Sequence, residues 1–438
     1  MDVVPSRTSA QPVARVVPLQ RSFHDLPLGH LSHCQVCGCF DLEFVLDLGH
    51  QPPCDSLLTA EQVNEAEQFF PLRLMRCTDC GLAQIDYTVA PEVLFHLDYP
   101  YRSGITETLS KNLQGIAIRV CELLEFERGS LVIDLGSNDG TILKGFQSQG
   151  MKVLGIEPTN IAQIANESGI PTVQEFFNEE LARNVRAKHG RAMVVTAANM
   201  FAHVSNLGDL IRGVDQLLVD DGIFLTESHY LLDLLETVQY DSIYHEHLKY
   251  YALEPLVRLF DYYNFTVVDA ERIPNYGGSI RVFAKKGKGH EPSDRLQQLI
   301  EAEHAAGLYD SQAFYDFRDK VIKSKLELQA LLVDIRQRGE TVVGIGCPGR
   351  SVTLLNYCNI DHDLLPYIAE QSTCLKVGLY SPGNHLPVVD EQRMFDEQPD
   401  YALMLSWHYS EPIVQKLREK GLRSKIIIPL PEVHVLED

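Results

Sequence analysis

No apolar run in this chain of 438 residues reaches the roughly 20 residues that a membrane-crossing helix needs. A secretory signal is missing too. Arg7, Arg15 and Arg21 are followed by no hydrophobic segment, so residues 1–30 read as a disordered leader. Positive charge is scarce: 38 Lys and Arg stand against 60 Asp and Glu, a formal net charge of −22. With no basic stripe to offset it, that balance argues against nucleic acid as a partner, and no membrane partner is expected. A local cluster of positive groups can still hold an anionic small molecule. Ten cysteines in a chain this long are too few for a disulfide scaffold, and the expected compartment is reducing, the cytoplasm. What is present is the composition of a globular protein, 45% hydrophobic and 22% charged, at a length that suggests two or three domains.

Four of the cysteines are paired in sequence: Cys34 and Cys37 in HCQVCGC, then Cys77 and Cys80 in RCTDCG. Two Cys-x2-Cys knuckles, each trailed by a glycine, are what a tetrahedral four-thiolate zinc site requires, and such a site keeps no open position for substrate. We expect a structural zinc in a domain over residues 31–100. A redox dithiol and reduced core cysteines are the alternatives, and Cys39 and Cys54 are spare thiols that could replace a ligand. Between the knuckles, LDLGHQPPCDSLL reads as a loop. Tyr99, Tyr101 and Ser103 then cluster beside a proline, and a helix is expected over residues 106–125.

The next signal is LVIDLGSNDGTIL. An apolar strand over residues 131–135 holds Asp134 and runs into Gly136, Ser137, Asn138 and Gly140, after which a helix opens. The glycines let the backbone pass close to a ligand, and the helix start offers free N–H groups. About twenty residues on, Glu157 and Pro158 end a second strand, where a carboxylate can accept both ribose hydroxyls of an adenosine. This strand–turn–helix–strand unit resembles a class I S-adenosylmethionine methyltransferase; its DxGxxxG spacing is not the GxGxxG of a dehydrogenase, which is the competing reading. VQEFF suits an adenine-stacking strand end through Phe176. A third strand runs into Asn199 and His203, a fourth lies in GIFLTESHYLLDLLE, and residues 265–283 read as a hairpin carrying Tyr276 and Arg281. The fold class expected is α/β with a parallel sheet.

YDSIYHEHLKYY, residues 240–251, concentrates proton-transfer groups. On a helix, Tyr244 and His247 would share a face, with His245 and Glu246 pointing elsewhere. Imidazole can take a proton near neutral pH while a phenol hydrogen-bonds the resulting oxyanion. An aromatic helix end with solvated histidines is the plainer reading. Residues 291–338 look like a helical spacer, and a second Rossmann-like α/β domain follows over residues 339–438. Its glycine turn holds Arg350 and Ser351, groups able to hold a diphosphate at a helix start; a purely structural half is the alternative.

In this order, the knuckles, DLGSNDG, ANMFAHV, YDSIYHEHLKYY, the GGS-x-R hairpin and the terminal glycine turn resemble the nucleotide-sugar C-methyltransferases, which act on NDP-4-keto-deoxyhexoses. The resemblance runs from Cys34 to near the C-terminus. It implies a zinc-binding domain, a central S-adenosylmethionine domain over residues 101–290 and a C-terminal Rossmann-like domain, with the sugar nucleotide between the last two. It further implies His247 as general base with Tyr244 and Glu246 beside it, and Asn199, which is also placed at the cofactor, with His203 and His245 lining the sugar pocket. Tyr99, Tyr101 and Ser103 would close that pocket, and Tyr276, Arg281, Arg350 and Ser351 would read the sugar or nucleotide. Two positions depart from the family pattern: Tyr276 stands where a histidine is usual, and the C-terminal turn carries Arg350 where a lysine is usual. An O- or N-methyltransferase and a non-catalytic sugar-nucleotide-binding protein are the rival functions.

Overall fold

The computed structural model describes residues 23–95, 107–123 and 127–436; Tyr99, Tyr101 and Ser103 lie outside the described residues. A seven-stranded sheet forms the centre. Its strands are β1 (Leu131–Leu135), β2 (Lys152–Ile156), β3 (Thr172–Val173), β4 (Ala192–Ala198), β5 (Leu218–His229), β6 (Phe265–Ile273) and β7 (Ser279–Lys286). Their spatial order is β6-β7-β5-β4-β1-β2-β3. The first five run parallel, and β6 and β7 add an antiparallel hairpin at one edge. Val132, Ile133 and Leu135 are buried, as a strand covered on both faces demands. Strand order reverses at β1, between β4 and β2. The crevice outside the carboxyl ends of β1 and β4 is therefore where a ligand is received.

The two knuckles flank an antiparallel sheet of Leu42–Gln51, Phe70–Cys77 and Ala83–Ile85. LDLGHQ, expected as loop, is the second half of the first of these strands. Its pairing shifts register twice, between Phe44 and Leu46 and between Asp47 and His50, and the bulges absorb Gly49 at φ +80° without ending the strand. Residues 23–30, expected in the leader, are packed as well: Leu26 is buried and Gly29–His30 pairs with Tyr87–Thr88.

A third unit is a six-stranded sheet ordered Val388–Asp390, Ile368–Glu370, Val342–Ile345, Tyr401–Met404, Lys425–Ile428, His434–Val435. All but the last strand are parallel. Two helices, Asp294–Ala305 and Ser311–Gln337, fill the stretch expected as a spacer. The longer one is a packing element: Phe314, Phe317, Val321, Leu328, Leu332 and Ile335 are all buried. Among the described residues, no helix is long and apolar enough to cross a membrane.

Residues 240–251 are not a helix. Tyr240–Ser242 is a single 3₁₀ turn, the chain then folds back so that His247 N–H donates to the Tyr244 carbonyl at 2.9 Å, and Lys249–Tyr250 ends as a strand. That strand pairs with Ala83–Ile85 and becomes the edge of the zinc-unit sheet. The segment also meets the C-terminal unit. Asp241, fully buried, receives Arg350 Nη2 and Trp407 Nε1 at 2.9 and 2.8 Å, and Thr353 Oγ1 donates to the Ile243 carbonyl at 3.1 Å. One short segment thus touches all three sheet-bearing units. Removing one partner of a buried ion pair strands the other's charge, at a cost of about 3–5 kcal/mol. Asp241→Ala is therefore expected to lower unfolding free energy by about that amount in a urea titration; a change below about 1 kcal/mol would show that the pair does not hold the junction.

Candidate active site and zinc centre

The four knuckle cysteines converge. Cys34 Sγ lies 3.6 Å from Cys80 Sγ, and Cys37 Sγ lies 3.5 Å from Cys77 Sγ. All four ligand atoms fall within 4.8 Å of one another, and none of the cysteines is in a disulfide. A tetrahedron with Zn–S bonds of about 2.3 Å has sulfurs about 3.8 Å apart, so the set fits a zinc ion. Gly38 and Gly81, both at φ +74°, turn each knuckle, and their N–H groups close it onto the Cys34 and Cys77 carbonyls. Cys39 and Cys54 are outside the cluster. Among the described residues, no carboxylate or histidine joins the four thiols, so the centre has the closed donor set of a structural zinc.

At the crevice, Gly136 (φ +66°), Asn138 (φ +49°) and Gly140 (φ +77°) shape the turn after β1. A Cβ at Gly140 would come 2.9 Å from Ile170, and one at Gly136 would come 3.1 Å from Met200, so the turn tolerates no side chain at either position. Glu157, at the end of β2, is buried and accepts from the Asn138 N–H (3.0 Å) and from the N–H and hydroxyl of Thr159 (3.0 and 2.7 Å). Pro158 beside it is half-buried. Asp134 accepts from Thr196 Oγ1 at 2.6 Å, and burial, with Glu157 nearby, pushes its carboxyl up to about 7. Ser137 Oγ and Asn199 Oδ1 are buried without a partner, and Asn199 is held at φ +55° by its N–H bond to the Glu227 carbonyl. Two orphaned polar groups beside a glycine turn and a strand-end carboxylate fit the amino-acid and ribose parts of S-adenosylmethionine. Phe176 is 47% exposed, while its neighbour Phe177 turns inward against Gly213.

His247 is the centre of an aromatic cluster. Its ring centroid is 4.0 Å from Tyr244, 4.6 Å from His229 and 4.8 Å from His203. Nδ1 donates to the Ser242 carbonyl at 2.8 Å, which leaves Nε2 as the lone-pair nitrogen. Burial lowers the His247 pKa well below the usual histidine value, and the two neighbouring imidazoles add to that. Burial likewise brings His203 to about 4 and His229 to about 3. Tyr244 is pushed the other way, its phenol kept protonated by burial and by the nearby Cys54, Glu246 and Asp55. The site therefore holds neutral imidazoles and a neutral phenol together.

Other expected residues go elsewhere. His245 Nε2 donates to the Pro71 carbonyl at 3.2 Å and its ring meets Phe70. It faces the zinc-unit sheet. Arg281 is paired with Glu227 at 2.8 Å and with Glu271 at 3.4 Å. Arg350, 6% exposed, is committed to Asp241, and Ser351 Oγ donates to the Pro348 carbonyl at 2.6 Å. The Arg350 charge expected at a diphosphate, and the Arg281 charge expected to read the sugar or nucleotide, are thus each met by a buried carboxylate. Tyr276, at φ +54°, lies 5.9 Å from the His229 ring, and its backbone is held by Tyr409 and Arg350. His203 stacks on Phe95. His229 escaped sequence reasoning because it closes a strand with no motif; its position at the carboxyl end of β5 is the signal that could have found it.

Two outcomes are expected. Each imidazole in the cluster binds its proton more weakly folded than unfolded, so stability is fully present above pH 6.5 and is lost as the unfolded chain protonates below it. Melting temperature should fall from about pH 6.5 toward pH 4, and replacing His203 with Gln should flatten that slope. Elemental analysis should find one zinc per chain, and Cys77→Ser should lose it together with several degrees of melting temperature.

Family models match the chain in three consecutive stretches: a zinc binding domain over residues 34–95, a methyltransferase domain over residues 102–270 and a C-methyltransferase C-terminal domain over residues 274–431. The chain is similar to the C-methyltransferase NovU of Streptomyces niveus, 30% identical over 411 residues covering 93% of this chain and 97% of that protein. Two solved structures are similar in part. PH0226 from Pyrococcus horikoshii OT3 is 14% identical over 42% of this chain and 94% of its own, with a TM-score of 0.35. YcgJ from Bacillus subtilis is 15% identical over 41% of this chain and 100% of its own, with a TM-score of 0.32. A full-length relative and three matched domains in register with the thiol centre and the crevice make this chain a member of the C-methyltransferase family, dependent on S-adenosylmethionine and built with a zinc centre.

Proposed function

We propose that the chain methylates a carbon next to the ketone of a nucleotide-linked 4-keto-deoxysugar, through an enolate, with His247 as the base. The observation that carries this reading is the tautomer of His247. Its Nδ1–H is spent on the Ser242 carbonyl, so a neutral imidazole presents Nε2, and a phenol that stays protonated stands against its ring.

Carbon is a poor nucleophile until it carries charge. Removing a proton next to a ketone places that charge largely on oxygen, so the protein must supply a base for the C–H and a donor for the oxyanion. Nε2 of His247 takes the proton. Its lowered pKa makes it a weaker base but keeps it unprotonated across neutral pH, and the ketone lowers the acidity gap. Tyr244 donates to the enolate oxygen; a well-placed donor of this kind is worth roughly 10²–10³ in rate. Tyr250 O–H donates to the same Ser242 carbonyl at 3.3 Å, fixing the acceptor that sets the His247 tautomer. Asn199 and His203, at the mouth of the crevice, orient the sugar. Bound S-adenosylmethionine supplies an electrophilic methyl on a sulfonium; this chemistry asks for no open metal position, in keeping with a closed thiol centre.

His247→Ala should bind S-adenosylmethionine as the wild type does, measured by calorimetry, and lose turnover by roughly 10²–10⁴. Near-wild-type turnover would remove His247 from the role. With a ¹³C-methyl donor, NMR of the product should place the label on a carbon next to the ketone; a label on oxygen or nitrogen would refute the enolate route. The acid limb of kcat/KM should fall below pH 6.5, because the base is inactive only when protonated and its pKa is depressed.

A further inference from the structure

The zinc unit delivers a thiol to the catalytic centre that its metal does not use. Cys54 follows the strand Leu42–Gln51, is 2% exposed, and lies with Sγ 3.3 Å from Glu246 Oε1, 192 residues away in sequence. Burial, together with Glu246 and Asp55, holds the thiol protonated. Sulfur therefore donates and the carboxylate accepts. The next residue, Asp55, receives the Lys376 ammonium at 2.8 Å, and that ammonium also donates to the Cys347 carbonyl at 3.0 Å. Cys347 and Gly349 belong to the C-terminal glycine turn. A Cβ on Gly349 would sit 3.2 Å from Cys54 Sγ and 3.1 Å from Asp55 Oδ2, so the turn rests directly on this loop.

Cys54, Asp55 and Glu246 offer ligand atoms within 4.8 Å of one another. Lys376 already brings to them the positive charge a second metal ion would bring. The loop is instead a strut: one residue holds the carboxylate next to His247 in sequence, and the following residue ties that hold to the C-terminal unit.

We propose that Cys54 is a positioning residue for methyl transfer, its thiol fixing the orientation of Glu246, with the Asp55–Lys376 pair coupling that orientation to the C-terminal glycine turn. This rests on the reading of the reaction given above. Because the contact crosses units, it also assigns the zinc a purpose in the reaction: the metal fixes the unit whose loop completes the site.

The test compares full-length wild type, Cys54→Ala and Cys54→Ser on a 4-keto-6-deoxy nucleotide sugar, with zinc content measured for each. Cys54→Ala should keep one zinc per chain and wild-type affinity for S-adenosylmethionine, while kcat falls about tenfold or more, the scale of a hydrogen bond to a charged group. Cys54→Ser, which restores a donor, should recover most of kcat. Unchanged kcat in Cys54→Ala overturns the proposal, as does a second metal per wild-type chain that the variant lacks. Melting shifts of Cys54→Ala, Glu246→Gln and the double variant test the contact without turnover. Clear non-additivity supports it, and additive shifts overturn it. A wild type that transfers no methyl to any such sugar refutes the reaction reading, and the melting cycle then decides on Cys54 by itself.

Discussion

Asp241 is a carboxylate with no solvent contact, and the arrangement of the three units depends on how it is satisfied. Arg350 and Trp407 reach it from the C-terminal unit, and the Arg350 guanidinium lies 5.2 Å from the Trp407 ring centre. Burial favours the neutral acid, and the guanidinium and indole oppose it. A charge in this position is tolerated only when its partners are in place, so the junction has one satisfied geometry. Two residues on, Ile243 is held from the same side. Eight residues on, Lys249 is locked into the zinc-unit sheet. The turn between them, which carries Tyr244, Glu246 and His247, is consequently fixed at both ends by different units.

That placement sets the chemistry. A turn clamped among three units is shielded from water, and desolvation is the largest influence on every imidazole in the cluster. The cluster therefore holds neutral imidazoles, one of them packed at a tilt against a protonated tyrosine, with no charge to pair among them. Of the two buried arginines, Arg350 meets Asp241 at the seam with the C-terminal unit, and Arg281 meets its cross-strand neighbours Glu227 and Glu271 within the central sheet. The methyltransferase crevice, a few residues away, retains orphaned polar atoms at Ser137 and Asn199. They mark where a ligand's own hydrogen bonds are wanted.

How much of this could be read from the sequence follows the range of the interactions. The Cys-x2-Cys knuckles and the DxGxxxG turn are local geometries: glycine supplies the positive φ, and the thiolate spacing is set within a few residues, so both were legible. The β6–β7 hairpin and the alternating strands and helices were legible from apolar periodicity. The turn at residues 240–251 was read as a helix because its spacing of three suits one; what overrides that spacing is pairing with Ala83–Ile85, more than 150 residues earlier, which periodicity does not register. The same holds for Cys54 against Glu246, and for Arg350, whose chemistry suggested a diphosphate until the buried Asp241 stood opposite it. His245 was placed in the pocket by its neighbours in sequence, whereas the folded turn carries it to the Pro71 carbonyl of the zinc-unit sheet.

Hydrogen exchange at the substrate tests the central claim most directly. Wild-type protein and His247→Ala would each be incubated with a 4-keto-6-deoxy nucleotide sugar in D₂O, without S-adenosylmethionine, and the sugar's mass followed. If His247 is the base that forms the enolate, the wild type incorporates deuterium next to the ketone and the variant does not, although it still binds S-adenosylmethionine. Deuterium uptake in His247→Ala at the wild-type rate would show that another group removes the proton, and the assignment built on His247 would be wrong.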